Sequence, residues 1–157
     1  MDSYLYELGE PDIRIGGLSL WTRSREFPDS TDRWDGNWLR TTAFCEYPGA
    51  KITVEGPLLR NEEIQAFGVQ CATLHSTLVG EARLKCIEPY LRVVLTGNSR
   101  GHVSVEIALT PDQLQQRHEF TDGVDQSYLP AVVASCRKVL ERFPVVGLGD
   151  ENVRKPR

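Results

Sequence analysis

The sequence predicts an α+β domain with an antiparallel sheet of about five to seven strands and two main helices packed on one face. Two apolar stripes at helical spacing, near residues 61–79 and 126–143, predict the helices. Runs that alternate with period two before and between these stripes predict the strands. The strand connections at 47–51 and 96–101 are too short to join parallel neighbours, so the strands should pair antiparallel.

The strands before the first helix are separated by two turn sequences and one long loop. Residues 13–20 alternate around Gly16-Gly17, which predicts a strand with a bulge or a tight bend. Residues 22–37 are rich in Arg, Asp, Ser and Thr and predict a loop that ends at the turn Asp35-Gly36-Asn37. Residues 38–56 predict a hairpin around Pro48-Gly49.

The first helix has a recognisable start and end. Asn61 is a suitable N-cap, and the acids Glu62 and Glu63 suit the positive end of the helix dipole. Gly80 ends the apolar stripe, and Gly68 inside it weakens the pattern.

The second half predicts more strands and a terminal helix. Residues 82–95 read as extended segments interrupted at Glu88-Pro89, residues 103–109 as a half-buried strand, and residues 117–121 as a further extended piece. The last helix should be capped by Asp125 or Ser127 and should end before Pro144.

Length and charge indicate one domain with an acidic body. The 157 residues suit a single domain over 1–147 followed by a flexible, charged tail at 148–157. The net charge is −4, but Arg154, Lys155 and Arg157 lie in the last four residues, and the remaining 15 basic and 22 acidic residues give −7. Such a body disfavours nucleic-acid binding and suits a basic protein partner, although the charge also serves solubility.

Cysteine usage and hydropathy predict a cytoplasmic protein. Cys45, Cys71, Cys86 and Cys136 lie in largely apolar runs and form no CxxC pair, so we expect buried, reduced thiols. The chain starts acidic without an apolar signal region, and no stretch approaches the roughly 20 apolar residues of a membrane span.

The sequence contains no catalytic or cofactor-binding motif, so we predict neither an enzyme nor a cofactor or metal site. Cys71 and His75 lie four apart on the first helix and could form a nucleophile–base pair, but Cys71 belongs to the apolar stripe. His102 and His118 could approach each other if their strands pair, yet two histidines do not complete a zinc site.

The long loop provides the candidate partner-binding residues Asp29, Asp32, Trp34 and Asp35. Acids at every third residue attract a basic partner, and an exposed Trp is a frequent anchor in protein interfaces. The alternative for the acids is turn capping. Of the other tryptophans near the loop, Trp38 is expected in the core.

The order of motifs resembles the WapI family of bacterial immunity proteins over about residues 10–147. The segments that carry the resemblance are DGNWL at 35–39, LKCIEPYL at 84–91, the alternating run 103–109, DQSYL at 125–129 and RFPVVG at 142–147. The resemblance implies a small cytoplasmic protein that neutralises a cognate polymorphic toxin, often a nuclease, by stoichiometric binding. It implies structural roles for Asn37, Trp38, Glu88 and Pro89, and no binding residue carries over.

Two other classes of function remain open from the residues alone. One is a regulatory or structural protein-interaction domain with another partner, and the other is an enzyme of unknown type. A neighbouring toxin gene favours the immunity protein, whereas a cleft lined by convergent polar groups favours the enzyme.

Overall fold

A computed structural model describes residues 3–148, which form two antiparallel sheets of four strands each and three α-helices. The α+β class and the antiparallel pairing are confirmed, whereas the single sheet of five to seven strands is wrong. The chain leaves the first sheet at Arg60, passes through a long helix and starts the second sheet at Gly80. The helix replaces the short hairpin turn that would have kept all strands in one ladder. Nearly all of the predicted tail at 148–157 lies outside the described residues.

The first sheet has the order β1-β2-β3-β4. Its strands are β1 (Ile13–Ile15), β2 (Leu18–Arg25), β3 (Trp38–Tyr47) and β4 (Ala50–Arg60). Gly16-Gly17 forms a tight turn between β1 and β2, and Gly16 has the positive φ of +54° that favours glycine. The strand β2 continues to Arg25, so the long loop spans 26–37 rather than 22–37.

The second sheet has the order β5-β6-β7-β8, a simple meander. Its strands are β5 (Gly80–Lys85), β6 (Leu91–Gly97), β7 (His102–Leu109) and β8 (His118–Asp125). Every second side chain of β7 is buried, as its alternating sequence predicts. The extended piece expected at 117–121 is the first half of a longer strand, β8.

Both predicted helices are present, together with a third that the sequence did not predict. They are α1 (Ser3–Glu7), α2 (Asn61–Thr77) and α3 (Leu129–Arg142), the last preceded by a 3₁₀ turn at Gln126–Tyr128. The N-cap of α2 is Arg60 rather than Asn61. Glu63 accepts the backbone N–H of Arg60 at 2.7 Å, while the Asn61 side chain donates to the carbonyl of Phe143.

One apolar core joins both sheets to α2 and α3, with Phe67 of α2 fully buried in it. Gly68 lets these helices approach closely, because a Cβ at this position would lie 3.1 Å from the Cβ of Cys136 on α3. A second, small cluster lies on the outer face of the first sheet, where Leu5 of α1 packs on Trp21 and Phe44. The two predicted helices, α2 and α3, pack in the same core, whereas the additional helix α1 lies on the outer face of the first sheet.

Two further expectations from sequence are decided by burial. Trp38 was expected in the core but is half-buried, next to a bulge in the β3–β4 ladder between Leu39 and Arg40. Within residues 3–148, no helix is long and apolar enough to cross a membrane.

Four connecting segments meet at one end of the domain, which we call the loop end: 26–37, 86–90, 110–117 and 143–148. Hydrogen bonds join them to each other or to the first turn of α2. Asn61 N–H donates to the Asn37 carbonyl at 3.0 Å, and Ile87 N–H donates to the Glu63 carboxylate at 2.9 Å. Thr110 N–H donates to the Tyr90 carbonyl at 3.0 Å. Because binding residues lie disproportionately on loops, the loop end is the candidate functional site.

Candidate functional site

The four predicted site residues all lie on the loop 26–37 at the loop end. Asp29, Trp34 and Asp35 are exposed, and Asp32 is half-buried. The side chain of Trp34 keeps 52% of its surface exposed, which is unusual for the largest apolar side chain in proteins. Neither Asp29 nor Asp35 forms an ion pair with another described residue.

Asp32 shapes the loop. Its Oδ1 accepts the backbone N–H of Trp34 at 2.7 Å and that of Asp35 at 3.1 Å. The backbone carbonyl of Asp32 accepts the N–H of Gly36 at 2.8 Å. These contacts are the turn capping that the sequence analysis gave as the alternative for the acids. Asp32 therefore orients Trp34 and Asp35 from within the loop.

Asn37 fastens the loop to the segment that follows α3. Its amide is fully buried: Nδ2 donates to the carbonyl oxygens of Arg33 at 2.9 Å and of Val146 at 3.0 Å, and Oδ1 accepts the N–H of Val146 at 2.9 Å. The side chain thus pairs with Val146 as a neighbouring strand would. Arg25 adds hydrogen bonds to the carbonyl oxygens of Gly36 and Pro144. The loop is consequently braced by a segment more than a hundred positions away in sequence.

Arg60 packs against the ring of Trp34. Its guanidinium is buried and lies 5.5 Å from the centre of the Trp34 ring, a cation–π arrangement. It also donates to the Arg33 carbonyl and reaches Glu62 at 3.4 Å, while Arg33 Nε donates to the other Glu62 oxygen at 3.0 Å. The buried guanidinium of Arg60 therefore packs against one face of the exposed indole.

The functional residues that sequence reasoning missed are these supports. Arg60 and Arg25 are each the last residue of a strand, and neither position carries a local signal. Asn37 was assigned a structural role only through the family resemblance. The loop presents to solvent the half-exposed indole of Trp34 and the carboxylates of Asp29 and Asp35, which form no ion pair among the described residues.

The comparison with known protein families agrees with the order of motifs. The model of the Immunity protein WapI-like family matches residues 11–144. The chain belongs to this family. The match covers both sheets, α2 and α3, together with the whole loop 26–37, and begins after α1. No curated protein and no solved structure matches the chain.

In this WapI-like chain, the thiol–imidazole pair considered as a nucleophile and base is not assembled. Cys71 is buried in the core, whereas His75 is exposed on α2. Burial raises the pKa of the Cys71 thiol to about 12, opposite to the lowered pKa of an activated nucleophile. All four cysteines are free; Cys86 is half-buried and the others are buried, so the prediction of free, mostly buried thiols is confirmed.

The two strand histidines are also kept apart by the sheet. The strands β7 and β8 pair as supposed, but the register sets His102 opposite Asp125 and His118 opposite Leu109. Seven residues along a strand separate the two positions, a distance of about 23 Å. Within residues 3–148, no group of three or more His, Cys, Asp or Glu side chains could hold a metal ion.

A large open cleft of about 1160 Å³ lies on the outer face of the first sheet, beside α1. Four charged side chains at its rim are engaged in two ion pairs, Glu10 with Arg14 at 2.6 Å and Glu46 with Lys51 at 3.9 Å. Burial raises the pKa of Tyr47, at one edge, to about 12, so its hydroxyl stays protonated.

Proposed function

We propose that this protein is a bacterial immunity protein that neutralises a cognate polymorphic toxin by stoichiometric binding. Membership of the WapI-like immunity family supports the class, and the absence of catalytic motifs from the sequence fits binding rather than chemistry. The proposed site of action is the cytoplasm, where reducing conditions suit four free thiols. The toxin is proposed to have a basic surface, as a nuclease needs in order to hold a phosphate backbone.

The observation that carries the proposed binding surface is the half-exposed Trp34 on its braced loop. An aromatic side chain that is already ordered loses little conformational entropy when a partner covers it. Tryptophan is among the commonest hot-spot residues in interfaces. Asn37 and Arg60 order the loop before any partner arrives. We therefore propose Trp34 as the anchor, with the unpaired Asp29 and Asp35 beside it.

The acids of the loop supply the electrostatic part of the proposal. Residues 26–37 contain four acids, Glu26, Asp29, Asp32 and Asp35, against one base, Arg33. An acidic surface steers a basic partner during diffusion, and the effect acts mainly on the association rate. Screening shortens its range to about 8 Å at physiological ionic strength, so association should slow as salt rises.

The test uses the cognate toxin domain, which is first identified by co-purification with this protein. Asp29, Asp32 and Asp35 are replaced together by Asn, and association is followed by stopped-flow fluorescence at low and physiological salt. We expect about tenfold slower association at low salt and a smaller difference at physiological salt. Asn at position 32 retains a side-chain oxygen that can accept the N–H groups of Trp34 and Asp35, so the loop should keep its shape.

A matched variant controls for the change in net charge. Glu7→Gln, Glu81→Gln and Asp125→Asn remove three charges from exposed positions away from the loop, and Asp125, like Asp32, caps a turn. This triple variant should associate at nearly the wild-type rate. If the loop variant associates as fast as the control at low salt, the loop is not the binding surface. If the toxin is not inhibited by the wild-type protein, the immunity function fails and another protein-interaction role takes its place.

A further inference from the structure

Two like charges face each other on the outer face of the second sheet. In the β5–β6 ladder, Lys85 is directly opposite Arg92, and both side chains are exposed. Directly opposed residues have Cβ atoms about 5 Å apart, and like charges in this arrangement are destabilising. Neither side chain forms an ion pair with any residue in 3–148, although Glu106 and Glu119 lie on the neighbouring strands beyond Arg92. The pair is thus a local repulsion, and Glu106 and Glu119, which line a small pocket with Arg92, offset part of it.

A cleft opens beside this pair. Its volume is about 480 Å³, and it lies between the turn that follows β5 and the loop that precedes β8. Lys85, Arg92 and Arg117 line it, and no acidic residue is among the described residues that do. Arg117 forms an ion pair with Glu119 at 2.6 Å, so Lys85 and Arg92 are the two cations of the cleft that have no ion pair among the described residues. Ile87, 62% exposed, and Pro89 add apolar surface. Thr110 and Gln113 add hydrogen-bonding groups.

The cleft belongs to the loop end, and both the cleft and Trp34 are connected to the first turn of α2. Glu63 in that turn accepts the N–H of Ile87, whereas Arg60, three residues earlier, lies under the Trp34 ring. Both surfaces adjoin the same helical turn, so we expect a single protein partner of ordinary interface size to contact both. The two surfaces differ in charge, because the loop around Trp34 is acidic and the cleft is basic.

We infer that this cleft binds an acidic peptide segment of the protein partner, with a carboxylate between Lys85 and Arg92 and an apolar side chain on Ile87 and Pro89. The inference rests on the proposed function, since the segment is assigned to the same partner that contacts the loop. A carboxylate between the two cations would turn their repulsion into two charge-assisted hydrogen bonds. A nucleic acid fits less well, because a body charge of −7 repels an extended polyanion.

The first test maps binding directly, without the toxin. The probe is a short acetylated peptide that alternates glutamate with leucine, titrated into the ¹⁵N-labelled protein and followed by amide chemical shifts. We expect saturable shifts confined to residues 85–92 and 108–117. The same peptide with glutamine in place of glutamate should produce no saturable shifts. Equal shifts with both peptides, or shifts spread over the whole surface, would overturn the inference. A parallel titration with an oligouridylate tests nucleic-acid binding, and shifts of these amides with the oligouridylate but not with the peptide would also overturn it.

Variants then test the two cations. Lys85→Glu with Arg92→Glu should weaken the acidic peptide at least about tenfold, because each charged hydrogen bond contributes about that factor or more. The control, Arg100→Glu with Lys138→Glu, makes the same charge change at exposed positions without ion pairs among the described residues. Equal weakening by both double variants would mean that the peptide responds only to net charge, which refutes a site at Lys85 and Arg92.

The toxin separates this inference from the proposed function. If the toxin binds the wild type but binds the Lys85–Arg92 double variant equally well, the cleft inference fails and the immunity function stands. If the toxin binds neither and the wild type does not inhibit it, the proposed function fails, together with the assignment of the segment to that partner. Dissociation at least about tenfold faster from the cleft variant than from the control variant supports both.

Discussion

Asn37→Ala should loosen the proposed binding loop without touching any residue of the proposed interface. The Asn37 side chain is fully buried and connects the loop 26–37 to the segment after α3. Alanine removes all of these hydrogen bonds and adds no new charge or bulk. The expected outcome is a less stable domain in which the loop and residues 144–147 lose protection from hydrogen exchange together.

The magnitude follows from three well-formed hydrogen bonds, two that Asn37 Nδ2 donates and one that Oδ1 accepts, with lengths of 2.9–3.0 Å. A bond of this kind contributes about 1 kcal/mol net, so the free energy of unfolding should fall by about 3 kcal/mol. Arg33 and Val146 are half-buried, and water can therefore reach the groups left without a partner. For a domain of this size, the melting temperature should drop by roughly 6–12 °C.

Urea unfolding followed by tryptophan fluorescence measures the stability, and hydrogen exchange with mass spectrometry locates the loss. Asn98→Ala is the matched control, because Asn98 caps an exposed turn with two hydrogen bonds, to Arg100 and His102. That variant should lose no more than about 1 kcal/mol. If Asn37→Ala costs no more than the control, or if exchange in the loop is unchanged, then Asn37 does not brace the loop and the reasoning fails.

Three further outcomes follow from contacts elsewhere in the domain. Lys85→Glu should place an acid opposite Arg92 and raise the free energy of unfolding by roughly 0.2–1 kcal/mol. Chemical denaturation measures this change, and a loss of stability would contradict the repulsion between the two cations. The hydrogen bond from Tyr4 holds the pKa of Glu55 below its ordinary value of 4.5. The packing of α1 on the first sheet should therefore be complete above pH 4.5 and weaken as the pH falls through the lowered pKa. Tyr4→Phe should remove this acid dependence from the hydrogen-exchange rates of α1, and an unchanged pH profile would refute the prediction. Burial raises the pKa of the Cys45 thiol to about 12, so at pH 8 about one molecule in ten thousand carries the thiolate. A thiol reagent should therefore label Cys45 only when the protein unfolds, and rapid labelling of the native protein would contradict this.

The strands and the two long helices could be predicted because their signals are local. The alternation over residues 103–109 and the stripe over 61–79 each reflect one buried face of one element. The division into two sheets could not be predicted this way. It depends on whether β4 and β5 pair across α2, and that is decided by how the helix packs against both sheets. The short α1 escaped notice because its one fully buried residue, Leu5, sets no period.

The candidate loop was predicted from composition, and its architecture was not. Acids and a tryptophan in a polar stretch mark an exposed loop, and Asp29, Trp34 and Asp35 are indeed exposed. That Asp32 instead holds the turn depends on which backbone N–H groups point toward it. The brace formed by Asn37 and Val146 joins positions 109 residues apart, a contact that no local pattern in one sequence encodes.

The like-charged pair shows a third limit of sequence reasoning. Lys85 and Arg92 belong to separate strands, and only the register of β5 and β6 sets them opposite each other. A shift of one residue in that register would turn one of the two side chains to the other face of the sheet. The basic cleft at the loop end therefore could not be predicted without knowing the register of β5 and β6.

The central claim, neutralisation by stoichiometric binding, is tested most directly by titrating the toxin domain that co-purifies with this protein and measuring the remaining toxin activity. At toxin concentrations well above the dissociation constant, binding predicts a linear loss of activity that reaches zero at one molar equivalent. Isothermal titration calorimetry on the same samples should give the same equivalence point. Complete inactivation by a small fraction of an equivalent would reveal catalysis instead, and full activity at excess protein would contradict the immunity function.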